Sequence, residues 1–115
     1  MTLEELRKQI DVLDRQLVDL LNERARAAQM VGQLKAATSL PVYEPNREKI
    51  VYENVRAANK GPLPDIELTH IYERIIDVMR ALQRHELASE RNAQAAAASE
   101  PGLAAGASPP ETGKG

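Results

Sequence analysis

The chain has 115 residues, 43% hydrophobic, 28% charged and 3% aromatic, with no cysteine, tryptophan or phenylalanine. That composition excludes a disulfide framework, a thiolate metal site and a cysteine nucleophile, and it leaves the core to aliphatic side chains. The formal net charge of −2 gives no general pull toward nucleic acid or an acidic membrane. No run of about 18 apolar residues is present to span a bilayer. The opening Met1-Thr2-Leu3-Glu4-Glu5 has neither the basic nor the apolar part of a secretory signal. A cytoplasmic location is the expectation.

Punctuation divides the chain into three helices. Prolines stand at 41, 45, 62, 64, 101, 109 and 110, and none falls in 1–40 or 65–100. The first helix is expected over about Leu3–Ala37. Leu3, Leu6, Ile10, Leu13, Leu17, Leu20, Ala27, Val31 and Leu34 recur three and four residues apart, as in a heptad seam. Thr2 and Glu5 offer a capping box at its start. The second helix is expected to open at Pro45, with Glu44 before it, and to stop at Asn59-Lys60-Gly61-Pro62. The third starts with Asp65 as N-cap. Its stripe is Leu68, Ile71, Tyr72, Ile75, Ile76, Met79 and Leu82, and Gln83 continues one side of it. Beyond about His85 the pattern fails. The Ala-rich stretch and the closing SPPETGKG bury too little apolar surface to offset their ordering entropy. The expected division is a helical domain over 1–88 and a disordered tail over 89–115.

A helix of about 35 residues is about 50 Å long, whereas a compact body of about 88 residues is about 30 Å across. The apolar seam runs along the overhang too, which would leave a greasy stripe in water. A second copy of the chain covers it most economically. The expected fold is therefore all-α, three helices per chain, in an intertwined homodimer. The rival is a kink near Gly32 that folds the helix back.

Polar residues on apolar stripes are the candidate functional positions. Arg24 occupies a seam position, where a charge costs stability unless it is paired or bound. Register specification or snorkelling is the plain alternative. Lys35 lies eleven residues on, nearly on the same face and about 16 Å away along the axis. Ala28 and Val31 form a shallow floor between them. Two long cations flanking such a floor suit a small dianion. Arg7 is about 25 Å from Arg24 on the same helix. It reaches a shared ligand only from an antiparallel partner chain. Arg47 and Glu48 open the second helix, either as a solvated first turn or facing a ligand. Gln83 is either a satisfied core amide or a neutral donor. His70 and His85 have no metal-ligand spacing and read as surface residues. No phosphate-binding glycine loop and no Ser-His-Asp order can be assembled, so nucleophilic and metal-dependent chemistry is poorly supported.

The segments Leu6-Arg7-Lys8-Gln9-Ile10-Asp11, Leu20-Leu21-Asn22-Glu23-Arg24, Val31-Gly32-Gln33-Leu34-Lys35 and Pro41-Val42-Tyr43-Glu44-Pro45-Asn46-Arg47-Glu48 resemble the all-helical chorismate mutase family. Ile71 to Gln83 continues the resemblance, which covers about residues 3–85. Gly61-Pro62 ahead of the third helix looks most like the variety fused to DAHP synthase, the first shikimate-pathway enzyme.

The resemblance implies an interlocked homodimer and the cofactor-free [3,3] Claisen rearrangement of chorismate to prephenate. It also implies association with DAHP synthase. By the same resemblance Arg7 comes from one chain and Arg24, Lys35 and Arg47 from the other. Arg7 and Arg24 would hold carboxylates, with Arg47 assisting. Lys35 would touch a carboxylate and the ether oxygen, and Gln83 would donate to that oxygen. Glu48 would accept from the ring hydroxyl, with Glu44 standing near it where the family often has Asp. Met79 departs from relatives that carry Ser one turn before this Gln, so a small polar contact to a carboxylate is missing. Gln83 is a neutral amide, so its role needs no acid pH. The competing expectation is a non-catalytic sensing or dimerisation module acting on another shikimate-pathway enzyme. A plain helical scaffold leaves Arg24 in the seam unexplained.

Overall fold

The computed structural model describes residues 1–99. Three helices follow one another: α1 over Leu3–Thr38, α2 over Pro45–Ala58 and α3 over Asp65–Ser99. No strand occurs among the described residues.

Helix α1 begins on the capping box. The Glu5 amide donates to Thr2 Oγ1 at 3.1 Å and the Thr2 amide to Glu5 Oε1 at 2.9 Å, which satisfies two amides that the helix itself leaves unpaired. It ends at Ser39, which adopts a left-handed conformation (φ 63°) and donates its amide to the Lys35 carbonyl. It is a single α-helix of 36 residues, so the chain does not fold back at Gly32.

Helix α2 opens with Pro45, whose fixed φ and missing amide suit a first turn. Asp65 does not cap α3. The first α3 amides, of Glu67 and Leu68, donate to the Pro64 carbonyl, so Asp65 already lies inside the helix. Its carboxylate instead accepts from Asn59 Nδ2 at 2.7 Å. Asn59 also bonds the Leu63 carbonyl and the Gly61 amide, stitching the α2–α3 turn.

Helix α3 passes the end of its apolar stripe and runs on to Ser99. Alanine's high helix propensity favours that continuation. The rest of the expected tail, 100–115, lies outside the described residues.

Helices α1 and α3 pack along each other, and α2 lies against α3. The α1–α3 approach is tight at Gly32. A Cβ there would stand 3.0 Å from the Gln83 carbonyl oxygen and 3.0 Å from Glu86 Cβ. Gly32 is thus a contact point, and the absence of its side chain lets α3 touch the α1 backbone. The packed core is small: Ala28, Ile76 and Met79 are the buried apolar residues, beside buried Gly32 and Lys35.

The chain extends over 68 × 35 × 15 Å with a radius of gyration of 19.7 Å, where a compact chain of this length has about 13 Å. Leu3, Leu6, Ile10, Leu13, Leu17 and Leu20 are each 44–63% exposed. The overhang deduced from helix length is present, and its apolar seam is uncovered within one chain.

Gly32→Ala separates two opposing effects. Alanine favours the helix by about 1 kcal/mol, but neither neighbour of the new Cβ can rotate away, and overpacking costs about 1–3 kcal/mol. A net loss of about 1 kcal/mol is expected in urea denaturation. A more stable variant would show that α3 can slide off Gly32.

Candidate active site

The site is built on the residue that Gly32 brings into contact with α3. One turn beyond Gly32, Lys35 is only 5% exposed. An ammonium at that depth must meet oxygen partners, and Lys35 Nζ has two hydrogen-bond acceptors and one ion-pair partner. It donates to the Val42 carbonyl at 3.0 Å and to Gln83 Oε1 at 3.0 Å, and it pairs with Glu44 Oε1 at 3.3 Å. These partners come from the loop after α1, from α3 and from the N-cap position of α2. Glu44 makes no side-chain capping bond; its carboxylate turns to Lys35 instead.

Around this lysine is an open cavity of about 660 Å³. Helix α1 contributes Arg24, Ala27, Ala28, Val31 and Lys35, so the expected floor of short residues between two cations is present. Glu44 and the first turns of α2 contribute Arg47, Glu48 and Val51. That places a helix N-terminus, with its partial positive charge, at the cavity wall. Helix α3 contributes Ile76, Met79, Arg80 and Gln83.

Seven of the eight singled-out residues therefore meet: Arg24, Lys35, Glu44, Arg47, Glu48, Met79 and Gln83. Arg7 does not line the cavity. It sits 17 residues before Arg24 on a continuous helix, about 25 Å away. Met79, buried at 5% exposure, both fills the core and presents a side chain without a donor to the cavity.

Sequence reasoning missed Arg80. Its Nε donates to Glu48 Oε2 at 3.0 Å, and its Nη2 donates to Oε1 at 2.8 Å and to Oε2 at 2.7 Å. The Glu48 bond is the largest influence on the guanidinium and raises its pKa further above the ordinary arginine value. Charge accounting was the available signal. A carboxylate assigned to an anion site calls for a cation, although that accounting does not say which one.

With Arg80 included, the cavity holds four cations, Arg24, Lys35, Arg47 and Arg80, against two carboxylates, Glu44 and Glu48. The balance of two positive charges complements a small dianion. The arrangement offers guanidinium forks for carboxylates and a fixed ammonium–amide pair for a developing negative charge.

Residues 6–84 match the family described as chorismate mutase type II. The chain belongs to that family. It is 40% identical over 86 residues to the bifunctional chorismate mutase/prephenate dehydratase of Aquifex aeolicus, covering 71% of this chain and 24% of that protein. It is 32% identical over 91 residues to the chorismate mutase of Methanocaldococcus jannaschii, covering 78% of this chain and 92% of that one. The chain thus spans about a quarter of the length of the bifunctional relatives.

Two solved chorismate mutases share the fold. Form II of the Thermus thermophilus enzyme gives a TM-score of 0.69 at 33% identity, covering 70% of this chain and 92% of that one. The Helicobacter pylori enzyme in complex with prephenate gives 0.68 at 32% identity, covering 74% and 92%.

Proposed function

We propose that this chain converts chorismate to prephenate, the cofactor-free [3,3] rearrangement of aromatic amino acid biosynthesis. The observation that carries this reading is the Lys35–Gln83 pair inside a cavity with two net positive charges. Chorismate is a dianion with an enol ether oxygen, and the rearrangement breaks the C–O bond at that oxygen. No nucleophile, proton transfer or metal is required. The protein has two tasks: to hold the reactive conformer, and to stabilise the charge that builds on the oxygen as the bond breaks.

Gln83 Oε1 is taken by Lys35, so the amide presents Nε2 as its donor. In this reading Lys35 and Gln83 together meet the ether oxygen, Arg24 and Arg47 hold carboxylates, and Glu48 accepts from the ring hydroxyl. Glu44 lies beside that hydroxyl. Met79 gives one carboxylate a contact without a donor, which lowers efficiency without changing the reaction.

Arg7 enters through a homodimer. The uncovered seam of α1 supports it, since Leu3 to Leu20 need a partner surface and a second antiparallel α1 supplies both cover and Arg7. Residues 1–88 form the catalytic unit and 89–115 an appendage to it. A cytoplasmic location belongs to the same reading; among the described residues no helix is long and apolar enough to cross a membrane. Association with DAHP synthase is supported by the Gly61-Pro62 resemblance alone; the Aquifex aeolicus relative carries a prephenate dehydratase instead.

The deciding measurement is chorismate disappearance with the purified chain and with Lys35→Ala. Turnover is expected in the former, and a loss of about 10²–10³ in the latter, the size seen when one donor to a developing oxyanion is removed. An inactive unaltered chain would sink the reaction; equal rates would sink the role of Lys35.

A second experiment addresses sharing of the site. Arg7→Ala and Lys35→Ala chains are each expected to be nearly inactive. Mixed one to one and allowed to exchange, they form hybrid dimers with one intact site, so about a quarter of the unaltered activity returns. No recovery in a mixture shown to exchange subunits would place Arg7 and Lys35 in the same chain's site, or Arg7 outside it.

A further inference from the structure

We propose that Arg80 is a positioning residue that sets the orientation and neutralises the charge of Glu48, and through Glu48 governs recognition of the substrate's ring hydroxyl. The proposal rests on the reading of the cavity given above and adds a residue to it.

Each guanidinium nitrogen of Arg80 already has a carboxylate partner. Nε and Nη2 both end on the two oxygens of Glu48. Nη1 points to Asp77 Oδ1, at 3.5 Å. The Tyr43 ring covers one face of the guanidinium, with Cζ 5.0 Å from the ring centroid. A guanidinium committed in this way to two carboxylates and a ring is turned toward the protein, although it borders the cavity. It is placed to hold Glu48 more than to meet a ligand.

Electrostatics points the same way. An unpaired carboxylate lining the cavity would repel an incoming dianion, more strongly in a partly desolvated site than in bulk water. The bidentate pair removes that repulsion. It also leaves Glu48 lone pairs beyond those used by Arg80, because a carboxylate offers about four acceptor directions. The fork fixes where the remaining ones point. Glu48 can then accept a neutral hydroxyl without opposing the carboxylates held elsewhere in the cavity. Both partners are about four-fifths buried, with 21% and 19% side-chain exposure, so water competes little for the contact. The two side chains belong to α2 and α3, and the pair therefore also fixes the first turn of α2 against the cavity wall.

The test is a double-mutant cycle on the full chain with Arg80→Met, Glu48→Gln and both together, read as kcat and KM for chorismate. Hydroxyl recognition contributes before and during the reaction alike, so the loss is expected mainly in KM. Arg80→Met alone is expected to reduce kcat/KM by about 10- to 100-fold, and by less than about 3-fold when Glu48 is already Gln. Arg80→Lys keeps the charge and loses the fork, and is expected to recover less than half of the loss on a logarithmic scale. It also serves as the single variant should Arg80→Met fail to fold, which thermal melting will show.

Equal losses in both Glu48 backgrounds, or full recovery by Lys, would overturn the proposal while leaving the reaction intact. An unaltered chain that neither turns over chorismate nor binds prephenate in calorimetry would overturn the reading of the cavity, and this proposal with it.

Discussion

Burying an ammonium ion costs several kcal/mol unless it is paired and hydrogen-bonded, and Lys35 meets that demand with one oxygen partner from each of three segments. The Val42 carbonyl belongs to the loop after α1, Gln83 to α3 and Glu44 to the cap of α2. A single charged group therefore ties together parts of the chain that share only a thin apolar core. Gly32 makes the arrangement possible. Its missing side chain lets α3 approach α1 closely enough for Gln83 to reach the lysine one turn away. Helix packing and site geometry are one constraint here.

The acidic residues of the cavity are each tied to a cation, Glu44 to Lys35 and Glu48 to Arg80. Arg24 and Arg47 supply the two positive charges left over. The overall charge of the chain conceals this local balance, because acidic residues elsewhere offset it. The charge that matters for recognition is confined to a cavity with apolar walls, where it is less screened than on an open surface.

Much of this was legible in the sequence. Helix boundaries followed from Thr2/Glu5, Pro45 and the Gly61-Pro62 joint, all of which act within a few residues of the chain. The Arg24–Lys35 face followed from helical periodicity, and so did the excess length of α1. What escaped was long-range. Arg80 stands 32 positions from Glu48, and no local pattern marks it as a partner. Gly32 looked like a weak point within α1; only its neighbours on α3 reveal it as a place of close approach. Asp65 had the residue type of a cap. Pro64 presents its carbonyl to the first free amides instead, and the carboxylate follows Asn59 across the turn.

The three oxygen partners of Lys35 have a consequence for how a ligand enters. Two are hydrogen bonds and the third is an ion pair, so a ligand oxygen that approaches the ammonium competes with Glu44. The contact to Glu44 is the longest of the three at 3.3 Å, and that side chain is 40% exposed. It is the acceptor most readily given up. Affinity at this position then measures the difference between two acceptors, the internal carboxylate and the incoming oxygen. An oxygen that gains negative charge during the reaction competes better with Glu44 as the charge grows. In the proposed reaction that growing charge is what separates transition state from ground state at this position, because displacing Glu44 costs both alike.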